Sequence, residues 1–304
     1  MEKKVAIVIL TCNQEKLLEK CLSSLKKKTD YKRYKVYLMD DSGKGEIGRN
    51  MKKKFKWIDL FINKTNLGFS KTINLGIKRI LTEYSPDYIL SVNDDIEFIE
   101  KDWLKKMIKV AESDEKIGIL GCKLIYPEGN LQYFFKDGKM HFLKTKKDVL
   151  ETKDTFQIKE IDTIMGAFFL IKKKVIDEIG LFDEKFSPLY GEETDFCYRA
   201  GKKGFKMVYV GGVKMIHHGS ASIKNLKHDG GKWFIQKKHG IRFEWLNFST
   251  FKIIKYALMH FSSAILSRNP FRKLILLLKA YKENIKDLKE ISSKRKERNS
   301  WEKI

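Results

Sequence analysis

The sequence predicts an α/β protein: a mostly parallel, Rossmann-like sheet flanked by helices, with amphipathic helices added at the C-terminal end. Three observations carry that expectation. Short β-branched and aliphatic runs alternate with segments whose apolar residues recur at helical spacing. The runs end in small polar or acidic residues, where ligands bind in such sheets. Beyond about residue 222 the pattern changes to lysine-rich helical stripes.

Taken in order, Val5 to Leu10 is a run fit for a central parallel strand buried on both faces. Thr11 and Asn13 follow as N-cap candidates for a helix carrying Leu17, Leu18, Cys21, Leu22 and Leu25 on one face. Val36 to Met39 is a second strand, ending in Asp40, Asp41 and Ser42, and completes a β-α-β opening with right-handed crossover. The first turn has no GxGxxG, so the dinucleotide fingerprint is absent, and no GxxxxGK[ST] occurs, so this is not a P-loop protein. A third strand near Leu60 runs into Asn66, Gly68 and Asn74. There Gly68 would admit a ligand close to the backbone and either asparagine would hydrogen-bond it; an ordinary β-α turn reads equally well.

Tyr88 to Val92 is the fourth strand, tipped by Asn93, Asp94 and Asp95, a set that suits a hard cation bridging phosphate oxygens. Ile117 to Ile125 is another strand, and residues 127–160 form a charged, aromatic excursion without clear period. Thr163 to Ile171 reads as strand, with Gly166 leaving room for a flat ligand. Lys174 to Asp183 holds a short helix stopped by Gly180. A helix from about Thr194 to Lys203 follows, preceded by Glu192 and Glu193 and carrying Asp195. Three carboxylates this close raise one another's proton affinity and make a usable base, although an acidic first helical turn is the ordinary reading. Phe205 to Val210 is the last strand; of the adjacent His217 and His218 only one can face a given site.

The cysteines Cys12, Cys21, Cys122 and Cys197 show no CxxC or metal spacing, which points to a reducing compartment. The first apolar run is too short for a signal peptide or span, so the expected location is cytoplasmic. The formal charge of +23 points to a polyanionic partner or to well-solvated lysines. Residues 224–304 hold 20 Lys/Arg against 7 Asp/Glu. Their apolar stripes (Phe251, Ile254, Leu258, Phe261, Ile265, then Phe271, Leu274, Ile275, Leu278, Tyr281, Ile285, Leu288) fit a helix lying on an anionic membrane, or a pair packed on the catalytic domain or a second subunit. Neither stripe spans a bilayer. Residues 292–304 read as a frayed end.

The ordered set Ile9 to Asn13, Met39 to Ser42, Asn66 to Ser70, Val92 to Ile96, Met165 to Phe168, Gly191 to Asp195 with Arg199, and His217 to Ser222 resembles the inverting family 2 glycosyltransferases, rhamnosyltransferases among them. The resemblance implies a GT-A fold over residues 1–222, with a nucleotide-sugar half to about 96, an acceptor side after it, and a basic helical extension over 223–304. It implies Glu193 as catalytic base, with Glu192 or Asp195 sharing the role. Donor contacts would come from Thr11, Asn13, Asp40, Asp41, Asn66, Gly68, Asn74, Asn93, Asp94 and Gly166. Asp95 and His217 would hold Mg²⁺ or Mn²⁺. The activity implied is inverting transfer of a hexosyl or deoxyhexosyl group from a nucleotide-diphospho-sugar to a glycan or lipid-linked hydroxyl. Such an enzyme would sit in the cytoplasm or against the inner face of the membrane, as monomer or homodimer. A nucleic-acid-binding protein, favoured by charge alone, and a sugar-1-phosphate nucleotidyltransferase are the competing readings; no RNP, zinc-finger or helix-turn-helix signature supports the former.

Overall fold

Val5–Thr11 (β1), Tyr34–Asp40 (β2), Ile58–Ile62 (β3) and Tyr88–Asn93 (β4) pair in parallel, and β1 lies between β2 and β4. Residues Val5 to Ile9 of β1 have no exposed surface, which is why that strand is apolar throughout rather than alternating. The structure, a computed structural model, describes residues 2–136, 139–142, 157–219 and 231–301. Helices Glu15–Lys28 (α1), Glu46–Lys54 (α2) and Phe69–Glu83 (α3) connect these strands. On α1, Leu18, Cys21, Leu22 and Leu25 form the buried stripe that the spacing predicts.

The sheet then changes direction. Ile96–Phe98 (β5), Trp103–Ala111 (α4) and Ile117–Ile125 (β6) are followed by the hairpin Tyr133–Lys136 (β7) and Lys139–Phe142 (β8), and by Ile158–Ile161 (β9). Phe168–Lys172 (β10) runs antiparallel between β4 and β6. After Lys173–Ile179 (α5) and Glu192–Lys202 (α6), Lys206–His217 (β11) lies parallel to β6 and antiparallel to β5 and β9. The strand order is β3-β2-β1-β4-β10-β6-β11-β5, with β9 also on β11. Register matches Thr11 with Asp40 and Leu10 with Asn93, so the parallel strands end on one rim; β10, reversed, begins there with Phe168 opposite Val92.

Several boundaries differ from the sequence expectation. The strand expected from Thr163 begins only at Phe168, because 163–167 turn toward the rim. The last strand extends past Val210 to His217, with register shifts that carry its glycines. α6 begins at Glu192, two residues early, so all three carboxylates lie in its first turn, where the helix dipole favours them. α1 starts at Glu15 without a side-chain cap, and Thr11 and Asn13 do not cap it. Within the excursion over 127–160, β7, β8 and the start of β9 are strands; residues 143–156 lie outside those described, as do 220–222 of the histidine motif.

By contact the chain divides into one unit of residues 1–188 with 192–222 and another of 189–191 with 223–304. The second contains helices Gly231–Asn247 (α7), Thr250–Ile265 (α8), Pro270–Lys286 (α9) and Leu288–Ser300 (α10) around Ile241, Ala264, Leu277 and Ala280. The end expected to fray is helical to Ser300, anchored by buried Ile291 and by Arg298, which donates to Asn247 Oδ1 at 2.8 Å. No helix among the described residues is long and apolar enough to cross a membrane.

Candidate active site

The rim of the sheet gathers most of the residues singled out above, and the structure separates those that hold the frame from those that face outward. Asp40 is fully buried; Oδ1 accepts from the Ser42 amide at 2.9 Å and Oδ2 from the Gly48 amide at 2.7 Å. Its carboxylate thus fastens the turn into α2, with Gly48 too close for any side chain: a Cβ there would meet Asp40 Oδ2 at 2.8 Å. Asp41 has the same duty one loop on, accepting from Asn63 Nδ2, Leu67 N and Gly68 N at 2.8–2.9 Å. A carboxylate with three donors is fixed in place.

Gly68 and Asn74, two of the residues the resemblance implies for donor contacts, pack closely against the protein itself. Gly68 has φ +79°, and a Cβ on it would lie 2.7 Å from Pro188 Cα. The close approach is therefore to the 182–188 segment. Asn74, buried in α3, accepts from Phe182 N at 3.0 Å and donates to Phe182 O at 2.9 Å and Glu184 Oε1 at 3.1 Å, tying α3 to that same segment. Asn13 and Asn66 are exposed, the latter with its amide 3.2 Å from Cys12 Sγ. All four cysteines are free thiols.

At the tip of β4 the three residues diverge. Asn93 donates its amide to Ala167 O at 3.1 Å, which draws the Gly166 turn to the rim. Asp94 is buried and takes the Thr11 hydroxyl at 2.6 Å; burial pushes its carboxyl up to about 7, with the Thr11 bond opposing the rise. Asp95 is also buried, its Oδ1 accepts no hydrogen bond, and His217 Nε2 lies 3.3 Å from that oxygen. His218 turns the other way, to Glu97 at 3.4 Å. Gln132 was not foreseen; its side chain donates to His217 O at 2.6 Å and lies 2.7 Å from His217 Nδ1. Since the Gln132 amide nitrogen is spent on the carbonyl, its oxygen faces Nδ1 and takes the proton there. With Nδ1 engaged, Nε2 is the ring nitrogen left facing the Asp95 carboxylate, the arrangement in which a hydrogen-bonded partner orients an imidazole toward a cation.

The donor set suits a divalent cation. Among the described residues no group of three or more His, Cys, Asp or Glu forms a closed site. One carboxylate and one imidazole leave positions for water and phosphate oxygens, the manner in which small hard cations are held beside phosphorylated substrates.

The acidic cluster divides likewise. Asp195 is wholly buried and pairs with Arg199 Nε at 2.9 Å; the same guanidinium donates to Ile179 O and Leu181 O at 2.6 and 2.8 Å. It faces the core. Burial, reinforced by the neighbouring Glu193 charge, raises the Glu192 carboxyl well above the ordinary range, and the two side chains are hydrogen-bonded. Two carboxyl groups this close titrate as a unit and disfavour a second negative charge. Gly166 stands over it: a Cβ there would be 3.8 Å from Glu193 Cδ. A path of contacts thus runs from Glu193 through Gly166, Ala167 and Asn93 to Asp95 and His217.

A sheet of this order with acidic strand tips on one rim is the GT-A fold of nucleotide-diphospho-sugar transferases. Residues 6–180 match the family described as Glycosyl transferase family 2, and the chain belongs to that family. It is 25% identical over 232 residues to the O-antigen biosynthesis protein RfbC of Myxococcus xanthus, 72% of this chain but 18% of that protein. It is 21% identical over 243 residues to the N-acetylglucosaminyl-diphospho-decaprenol L-rhamnosyltransferase of Mycobacterium tuberculosis, 72% of this chain and 77% of that one. In fold it is similar to GalNAc-T7, solved with UDP, GalNAc and Mn²⁺, at TM-score 0.65 and 14% identity over 98% of this chain and 55% of that one.

Proposed function

We propose that the protein transfers a hexosyl or deoxyhexosyl group from a nucleotide-diphospho-sugar to a hydroxyl of a glycan or lipid-linked acceptor, with inversion. The observation that carries this is the half-buried Glu193 carboxylate packed under the Gly166 turn, which Asn93 links to the facing Asp95 and His217.

In this reading Glu193 takes the proton of the acceptor hydroxyl as its oxygen attacks the anomeric carbon. The bond from that carbon to the diphosphate oxygen breaks, and the diphosphate leaves with the electron pair. Glu192, protonated, donates to Glu193 and keeps its carboxylate aimed. Asp95 and His217 would hold Mg²⁺ or Mn²⁺, which when bound supplies positive charge against the diphosphate. Gln132 fixes the imidazole that faces this position. Asp40 and Asp41 serve donor binding indirectly, by pinning the loops whose exposed residues, Asn13 and Asn66, are open to a nucleotide. Asp94 and Thr11 hold the base of the strand tips together.

Release of nucleoside diphosphate from a panel of nucleotide-sugars, with Mg²⁺ or Mn²⁺ and a lipid-linked glycan, tests the reading. Dependence on both substrates and on Glu193 is expected. Pyrophosphate released from a nucleoside triphosphate would assign the protein to the nucleotidyltransferases instead.

A further inference from the structure

Large apolar side chains are exposed on the catalytic unit only at Ile62, Leu75 and Ile158 among the described residues, whereas eleven stand exposed between Phe251 and Leu288. They are not scattered. Phe251, Leu258 and Ile265 follow one another at seven-residue intervals on α8, and Phe271, Leu278 and Ile285 do so on α9. Seven residues are close to two helical turns, so each trio lies along one side of its helix. The opposite sides are occupied: His260 and Ala264 of α8, and Leu277, Ala280 and Asn284 of α9, are the buried ones. The helices are therefore apolar on two sides, and only one is used in packing the unit. The turn between them is the most exposed part, with Leu266 at 85% and Phe271 at 79%.

Charge identifies what covers the other side. Residues 250–286 hold eight Lys or Arg (Lys252, Lys255, Arg268, Arg272 among them) and a single acid, Glu283, which pairs with Lys286. A second copy of the chain seated face to face on the same patch would bring these cations against their own kind, since a two-fold interface is self-complementary. An anionic lipid surface meets both features at once, taking apolar side chains below its headgroups and basic ones among them.

We propose that α8, α9 and the turn between them form a docking surface for an anionic lipid bilayer, lying in its interface with Leu266 and Phe271 as the inserted tip. This is independent of the transfer reading, because lipid binding needs neither donor nor acceptor. Neither helix spans the membrane. The chemistry is that of clustered phosphate headgroups over hydrocarbon, which free phosphate does not supply.

The test is flotation of the full chain with vesicles of phosphatidylcholine alone or mixed with phosphatidylglycerol. Binding to the mixed vesicles, absent from the neutral ones and weakened by high salt, is expected. Each cation neutralised, as in Lys255→Gln or Arg268→Gln, should lower partition roughly fivefold. Leu266→Asp with Phe271→Asp should abolish it while the thermal transition is unchanged, both positions being solvent-exposed. In the wild-type background Phe271→Trp should be quenched by brominated lipid and not by inorganic phosphate. Absence of flotation on anionic vesicles at low salt would overturn the proposal. So would a dimer seen by sedimentation in the absence of lipid and dissolved by the paired aspartates, which would assign the face to a second copy of the chain. Loss of transfer with flotation intact would count against the catalytic reading alone.

Discussion

Replacing Glu193 by Gln separates charge from shape at the proposed base. The amide keeps the length and planarity of the carboxylate and still meets Glu192, so α6 and the Gly166 turn stay as they are; the side chain merely ceases to be a proton acceptor. General-base assistance is worth about 10²- to 10⁴-fold in rate, equivalent to roughly 3–5 kcal/mol in the barrier. Glu192→Gln is the matched control. Burial and the neighbouring Glu193 charge raise the Glu192 carboxyl, and in the proposed reading it acts by donating a hydrogen bond. Its amide replacement still donates, so the rate should fall less than about tenfold, the ordinary worth of one hydrogen bond. The assay is nucleoside diphosphate release at saturating donor and acceptor, beside the donor dissociation constant from calorimetry. Donor binding should be unchanged in both variants. Equal losses at the two positions, or turnover within tenfold of wild type in Glu193→Gln, would refute the division of labour.

The remaining expectations concern the metal position and the frame. Asp95→Ala should weaken manganese-dependent donor binding and leave the metal-free component alone; full transfer in excess chelator would count against a cation there. Gly68→Ala combines a left-handed backbone, costing an alanine roughly 1–2 kcal/mol, with a Cβ placed 2.7 Å from Pro188 Cα. It should lower stability by about 3 kcal/mol in urea titration. Arg199→Met strands the buried Asp195 carboxylate and should destabilise by about 3–5 kcal/mol, read in the same titration. His239 lies 2.8 Å from Tyr190 O through Nδ1, and burial lowers its pKa from 6.5 to about 4. The neutral imidazole is the favoured folded form, so its stabilisation is complete above pH 6.5 and is lost as pH falls toward 4, about 3 kcal/mol in all. The acid slope of unfolding free energy should flatten in His239→Gln; an unchanged slope would show that other groups set it.

The sheet and the site were legible in the sequence to different depths. Periodicity located β1, α1 and β4 because one side or both sides of each must be buried, and burial dictates residue type. The acidic strand tips were visible for the opposite reason: charge at the end of an apolar run is costly unless something uses it. What uses it was not visible. Asp40 and Asp41 are neighbours of identical chemistry, and only the folded loops show that one carboxylate holds Gly48 and the other Gly68. Asp195 differs from Glu193 by two positions on a helix, enough to turn it to Arg199 and the core. Gln132 lies 85 residues from His217 in a stretch without period, and nothing local marks it. The glycine at 68 announced a close approach, and the sequence does not say that Pro188, far along the chain, comes within 2.7 Å of where a Cβ would stand.

The reversal at β10 has a consequence for how such proteins diversify. A parallel strand must be reached by a crossover that returns along the whole sheet, and lengthening that crossover disturbs a packed layer. An antiparallel strand is entered from the rim itself. The chain between β6 and β10 therefore leaves and re-enters the sheet at the rim, so length added there does not have to run back along the sheet. Variation in length is then borne at the rim rather than by the packed layers of helices.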